Sequence, residues 1–321
     1  MTSSGSTDDW FARRTWQHPP WSVADLVAAK AGRRVSVVLP ALDEEATVGG
    51  VVAAIAPLAQ GPEALVDELV VMDSGSTDRT ASIAAEAGAR VVARDDVLPG
   101  FDPVNGKGEV LWRSLAATSG DVLCFIDSDL VDVDPAFVPA LLGPLLAEDE
   151  VGLVKGFYRR PLRLEVGDAQ ALDHGGGRVT ELVARPLLAA LRPPLTAVVQ
   201  PLGGEYAATR ELLETLPFAT DYGVEIGLLI DTLDTRGMDA VAQVNLGVRK
   251  HRNRSLLQLG AMARQITATA LRRSPAHDSG APLVQFVQVD GEWVPQSREI
   301  TGIERPPMRE VRDSVRRGPV V

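Results

Sequence analysis

Phe125-Ile-Asp-Ser-Asp-Leu130 closes an apolar run, Asp121 to Ile126, with two carboxylates one residue apart. A carboxylate beside a buried strand is costly to hold unless something cationic compensates it. In an extended segment residues two apart face the same side, so Asp127 and Asp129 can serve one ligand. One can accept hydrogen bonds from sugar hydroxyls while the other binds Mg2+ or Mn2+ bridging a diphosphate. Ser128 then points away or offers its backbone. The competing reading is a turn or helix N-cap carboxylate, since Asp132 and Asp134 supply turn chemistry just downstream.

Outward from this stretch, the first half alternates strand and helix patterns. Val35–Leu39, Glu68–Met72, Ala89–Ala93 and Asp121–Ile126 read as strands. Helices are expected at Ala46–Ile55, Thr77–Ala87, about Glu109 to Ala117, and Pro135–Leu146. Such alternation predicts an α/β fold with a mostly parallel sheet covered on both faces. Ligands of such sheets bind beyond the carboxyl ends of the strands. Three of the four strands end there in polar clusters: Pro40–Glu45, Asp73–Asp78 and Asp127–Asp129. The second half is less regular, with a strand at Val151–Tyr158 and helices at Arg178–Leu191, Val224–Thr235 and Leu256–Arg273. The division expected is an extended arm (1–22), a nucleotide-sugar half (23–150), an acceptor-binding half of the same domain (151–274) and a tail (275–321) with a hairpin around Val289–Trp293.

Composition narrows the class. A net charge of −11 argues against non-specific binding to nucleic acid or anionic membrane, so any site for a phosphate ester must be locally positive. The single cysteine, Cys124, excludes an intrachain disulfide and a cysteine zinc cluster, and its apolar surroundings make it a core residue. The longest uncharged run, Ala46–Pro62, is too short and too weakly apolar for a membrane span. Met1–Gln17 has no apolar core of a signal peptide, so the expected location is the cytoplasm.

No GxxxxGK[ST] is present, and the turn after the first strand is Pro-Ala-Leu-Asp-Glu rather than GxGxxG, which weakens P-loop and dinucleotide readings. An acidic strand end facing an anionic ligand makes sense through a metal or through ribose hydroxyls. The Pro40 and Ala41 backbone with the Glu44 carboxylate suits a uracil edge and a ribose; Ser76 and Thr77 are expected to cap the next helix. Lys107, between two glycines, can reach a base or phosphate. Gly175–Thr180 is a glycine-rich turn opening a helix, whose free N–H groups favour an anion, with Arg178 and Thr180 adding a fork and a hydroxyl.

The series P-A-L-D-E, D-S-G-S-T-D and D-S-D resembles nucleotide-sugar glycosyltransferases of the GT-A fold. The blocks GGGRVTELVARPLLAALRP, QPLGGEYAATRELL, YGVEIGLLID and VNLGVRKHRNR are similar to the glucosyl-3-phosphoglycerate synthases of actinobacteria, which are retaining enzymes. The resemblance covers about Trp16 to Arg273 and is loose beyond Ser274. It implies transfer of glucose from UDP-glucose to 3-phosphoglycerate, Mg2+ or Mn2+ as cofactor, and a homodimer, for which Leu256–Arg273 is a candidate face. It also implies His251 as a metal ligand beside Asp129, with Arg249 and Asn253 on the acceptor and phosphate side. Glu225 is implied at the transferred sugar.

The expected donor contacts thus run from Pro40, Ala41, Leu42, Glu44 and Ser74 through Lys107, Asp127, Ser128 and Asp129 to Leu202 and Glu225. Gly177, Arg178, Val179 and Thr180, with Arg249 and Asn253, form the expected acceptor pocket; Glu225, Asp129 and Arg249 are the catalytic candidates. Two mechanisms stay open, a double displacement on Glu225 and a front-face substitution in which a donor phosphate oxygen takes the acceptor's proton. GDP-mannose as donor, or a polyprenyl-phosphate acceptor, are the alternative specificities.

Overall fold

The computed structural model describes residues 7–61, 63–159, 177–248, 255–289, 292–300 and 302–317. In chain order it runs α1 (Thr7–Arg14), β1 (Thr15–Trp16), α2 (Val23–Lys30), β2 (Val35–Ala41), α3 (Val48–Ile55), β3 (Glu68–Asp73), α4 (Thr80–Glu86), β4 (Arg90–Ala93), α5 (Lys107–Ala117), β5 (Val122–Phe125), α6 (Phe137–Ala147) and β6 (Leu153–Arg159). A π-helical turn, Thr180–Ala184, then leads into α7 (Arg185–Leu191). The remainder comprises β7 (Tyr206–Thr209), α8 (Arg210–Leu213), β8 (Phe218–Ala219), α9 (Val224–Arg236), β9 (Val241–Val248), α10 (Leu256–Arg272), β10 (Leu283–Val289), β11 (Glu292–Arg298), β12 (Glu304–Arg305) and α11 (Met308–Arg317).

Eight strands form the central sheet in the order β1-β9-β6-β7-β5-β2-β3-β4. All its pairs are parallel except those of β7, which runs antiparallel between β5 and β6. Both faces are apolar, as the continuous Val-rich runs require of a sheet covered on both sides. One face packs Val37, Leu39 and Val71 under α3 and α6; the other packs Val38, Val70 and Leu123 under α5 and α9. Ala41 lies opposite Asp73, and Val38 opposite Phe125, so the ends of β2, β3 and β5 open on one crevice.

Both ends of the chain depart from expectation. The N-terminal segment, read as an extended arm, holds helix α1 and an edge strand. Trp10 is buried in the core that holds Val38, Val70 and Leu123, and its indole N–H donates to the carbonyls of Met238 (2.9 Å) and Val241 (3.2 Å). Phe11 packs against the same core, and Arg14 Nη2 donates to Glu150 Oε2 at 2.9 Å, so an aromatic anchor and an ion pair together dock this short polar helix. The tail is also more than a loop with a hairpin. The hairpin exists, with Val289 opposite Glu292, but β12 pairs with β8, and α11 buries Met308 and Val311 in the core under α5.

Candidate active site

The site is built where β5, α5 and α9 meet. Lys107 opens α5, Asp127 follows β5, and Glu225 lies in the first turn of α9. Lys107 Nζ stands 2.6 Å from Asp127 Oδ1 and 2.8 Å from Glu225 Oε1. Burial alone would lower the pKa of this ammonium, but the two carboxylates hold it well above the usual lysine value. Lys107 therefore stays charged across the neutral range, pinned between two acids.

Local backbone makes this approach possible. Gly106 takes φ +141°, and a Cβ at Gly108 would collide with the carbonyl of Ala219. The two glycines flanking Lys107 thus let the start of α5 lie against the chain leaving β8, where Glu109 N–H donates to Thr220 O at 2.9 Å. Gly204 plays the same part from the other side, since a Cβ there would overlap the Asp127 carboxylate. The turn at Leu202–Gly204 can accordingly press its backbone against the Lys107–Asp127 pair.

Ser128 does more than set the spacing of the two aspartates. Its hydroxyl donates to Pro40 O at 2.7 Å, tying the end of β5 to the end of β2. Ser74 N–H donates to Ala41 O at 2.9 Å, which joins β3's end to the same crevice. Pro40, Ala41, Ser74, Asp127 and Ser128 are thereby brought together. Leu42 is half exposed at the lip, and Glu44 accepts from Thr47 Oγ1 at 3.2 Å beside it. Ser76 and Thr77 do not cap a helix: α4 begins only at Thr80. Ser76 Oγ instead accepts from Asp43 N–H (3.0 Å), while Thr77 N–H donates to Asp43 Oδ1 (2.8 Å). These bonds lock the two loops beyond β2 and β3 to each other.

In the turn expected to hold the acceptor, Gly177 takes φ +82° and Glu181 N–H donates to Gly177 O at 2.9 Å, so a helical turn opens at Arg178 as expected. The turn then widens into the π-helical segment beginning at Thr180, a geometry frequent at functional sites. Val179 and Ala184 share the apolar core of Val224, Ile226 and Tyr206, which places this turn on the body that carries Glu225. Arg249, His251 and Asn253 lie outside the described residues.

A third group of residues was not singled out from sequence. Lys155, within β6, is buried; its Nζ donates to Gly203 O at 2.6 Å and stands 4.6 Å from the Tyr206 ring centre. Burial lowers its pKa to about 8, with Glu225 opposing that shift and Lys107 adding to it. Glu205 is fully buried in the same layer. The sequence signal was there: a lone lysine inside the apolar run Val151–Tyr158.

Comparison with known proteins follows the same lines. The family model described as Glycosyl transferase family 2 matches residues 36–165. A glucosyl-3-phosphoglycerate synthase of Mycolicibacterium smegmatis is 61% identical over 94% of this chain and 98% of its own length. A crystal structure of the Mycobacterium tuberculosis synthase with Mn2+, UDP and glucosyl-3-phosphoglycerate is 56% identical, covers 93% of this chain and 99% of that one, and has a TM-score of 0.84. Another, with Mn2+, UDP-glucose and phosphoglyceric acid, is 57% identical over 92% and 98% at the same TM-score of 0.84. A third, at 57% identity over 93% and 99% and TM-score 0.84, holds Mg2+ and UDP. The acidic strand ends, the sheet order and the Lys107 cluster therefore sit in a GT-A-like α/β fold, and this chain belongs to the glucosyl-3-phosphoglycerate synthases.

Proposed function

We propose that the chain moves glucose from UDP-glucose to the 2-hydroxyl of 3-phosphoglycerate, with retention at the anomeric carbon. The observation that carries this reading is the Lys107 bridge, 2.6 Å to Asp127 and 2.8 Å to Glu225, at the mouth of a crevice whose rim is Pro40, Ala41 and Ser74. In this reading the rim takes the uridine, and the fixed carboxylates of Asp127 and Glu225 accept hydrogen bonds from sugar hydroxyls. Asp129, with His251, holds the divalent cation; hard oxygen donors with one imidazole suit Mg2+ or Mn2+. Bound there, the cation stabilises the negative charge of the departing diphosphate. The turn from Gly177 to Thr180, with Arg249 and Asn253, receives the anionic groups of the acceptor.

A front-face substitution fits these residues best. Glu225 Oε1 is engaged by Lys107 at 2.8 Å, which weakens the carboxylate as a nucleophile and favours it as a sugar anchor. The bond from the anomeric carbon to UDP breaks as the bond to the acceptor's oxygen forms. The acceptor's proton passes to the phosphate oxygen that leaves. Lys155 holds the carbonyl of Gly203, so the Leu202–Gly204 turn faces the sugar with its backbone fixed.

We also infer a homodimer working in the cytoplasm. Among the described residues no helix is long and apolar enough to cross a membrane. Support for a partner face comes from Leu256 on α10 and from Phe286 and Trp293 on the hairpin, all exposed.

The test is turnover with purified protein and Mg2+, offering UDP-glucose or GDP-mannose with 3-phosphoglycerate. UDP release is expected only when UDP-glucose, acceptor and metal are all present, from a species of twice the chain mass by light scattering. Equal or faster turnover of GDP-mannose would overturn the donor assignment, covalent sugar on Glu225 trapped by a slow fluorinated donor would overturn the front-face route, and a monomer mass would overturn the dimer.

A further inference from the structure

We propose that the two residues of β12, Glu304 and Arg305, form a tie that positions Lys107 and Glu225 for transfer. The inference rests on the reading of those two groups as the sugar-binding centre, and it gives the C-terminal tail a part in catalysis. Lys107 and Glu225 arrive on different helices, α5 and α9, and their 2.8 Å contact depends on how those two helices are set against each other. Glu304 and Arg305 grip one helix each.

Arg305 holds α5. Its Nε and Nη2 stand 2.6 and 2.8 Å from the two oxygens of Glu109, which is fully buried in the first turn of the helix. Its guanidinium also lies 5.2 Å over the Trp112 ring, one turn further on, and Trp112 Nε1–H donates to Pro306 O at 2.9 Å. Arg113 completes the grip, bonding Glu109 Oε1 at 2.7 Å and the carbonyl of Phe101 at 2.6 Å. Lys107 lies in the same turn as Glu109, so any slip or rotation of that turn carries Nζ away from Asp127 and Glu225.

Glu304 holds α9 through an intermediary. Its Oε1 stands 2.6 Å from Nη1 of Arg273, whose Nε and Nη2 each stand 2.8 Å from the carboxylate of Asp231 on α9. The backbone adds a second hold: Thr220 N–H donates to Ile303 O at 3.1 Å, just ahead of the turn that opens α9. Neighbours on a strand face opposite ways, which is why one dipeptide can reach two helices. None of these groups is placed to touch substrate, so Glu304 and Arg305 are positioning residues.

Steady-state kinetics on the full chain test this. Arg305→Ala is expected to lower kcat by about tenfold to 10²-fold, the loss that a misplacement near 1 Å brings, with KM for UDP-glucose changed by less than about threefold. Arg305→Lys keeps the charge without the fork, and should restore part of that kcat. An unchanged kcat in Arg305→Ala, or no recovery in Arg305→Lys, overturns the tie. Should Arg305→Ala fail to fold, Trp112→Phe removes the bond to Pro306 and shrinks the ring beneath Arg305 while leaving the fork on Glu109 in place; a fall in kcat at constant KM supports the tie there, and no change overturns it. If the natural chain itself shows no transfer from UDP-glucose, it is the functional reading that fails, and the two failures are thereby told apart.

Discussion

Helix α5 carries two charge clusters built on opposite plans. At its first residue one cation serves two carboxylates, and the side chains of Lys107 and Asp127 keep 15% and 20% of their exposure. In the next two turns one carboxylate serves two guanidiniums, and the side chains of Glu109 and Arg113 keep none. The second cluster is closed: Arg113 and Arg305 direct further N–H groups at the carbonyls of Phe101 and Asp102. A buried ion pair is secure only when its remaining donors are met in this way. The first cluster is excess acid at a partly open crevice, a composition suited to hydroxyl groups and to a cation rather than to sealing a core. Like chemistry on one helix thus makes an open, acid-rich cluster at one end and a closed, fully paired one behind it.

The largest expected effect breaks the first cluster. Lys107→Met leaves Asp127 and Glu225 facing each other without their cation, and kcat should fall by about 10²- to 10³-fold, as when a preorganised charged partner is removed from an active site. Steady-state transfer from UDP-glucose measures it, and a loss below about threefold would make the cluster structural. Breaking the second cluster should show up first in stability. Arg113→Met should lower the unfolding free energy by about 3–5 kcal/mol, because it strips a buried carboxylate of one partner. Urea denaturation checks this, and a larger stability loss in Lys107→Met would reverse the contrast.

The smallest effect concerns Lys155, the fully enclosed ammonium next to the Lys107 cluster. Its pKa in the folded chain is lowered to about 8 by burial, so between that value and the unfolded one the unfolded chain binds more protons. Stability relative to Lys155→Met should therefore rise with pH across that window. Denaturation of both proteins at about pH 7 and about pH 9.5 measures the difference, and one that stays flat would show the ammonium to be ordinary.

The sequence makes one of these clusters far more legible than the other. Alternating Val-rich runs and helix periods announce the parallel half of the sheet, and the polar residues at strand ends mark the crevice. Asp127, Lys107 and Glu225 each stand out as a charge at the end of an apolar element, but nothing local says that Lys107 bridges the other two. Glu109 and Arg113, spaced i to i+4, have the spacing of an exposed helix pair, yet they are the most buried charges in α5. What reverses the reading is Arg305, 196 residues later, and pairing over such a distance leaves no periodic trace. The tail escaped for the same reason, since two-residue strands such as β8 and β12 are too short to carry an alternation.

Cys124 gives the molecule a built-in reporter. It is the sole thiol of the chain, fully buried in β5, the strand that ends in the Asp127–Asp129 turn. Burial, with the nearby charge of Glu205, pushes the thiol up, so it is inert while the sheet is closed. The rate at which an alkylating dye captures Cys124 is consequently a clock for opening of the central sheet, and its slowing by a nucleotide sugar reads out ligand binding without any label being engineered in.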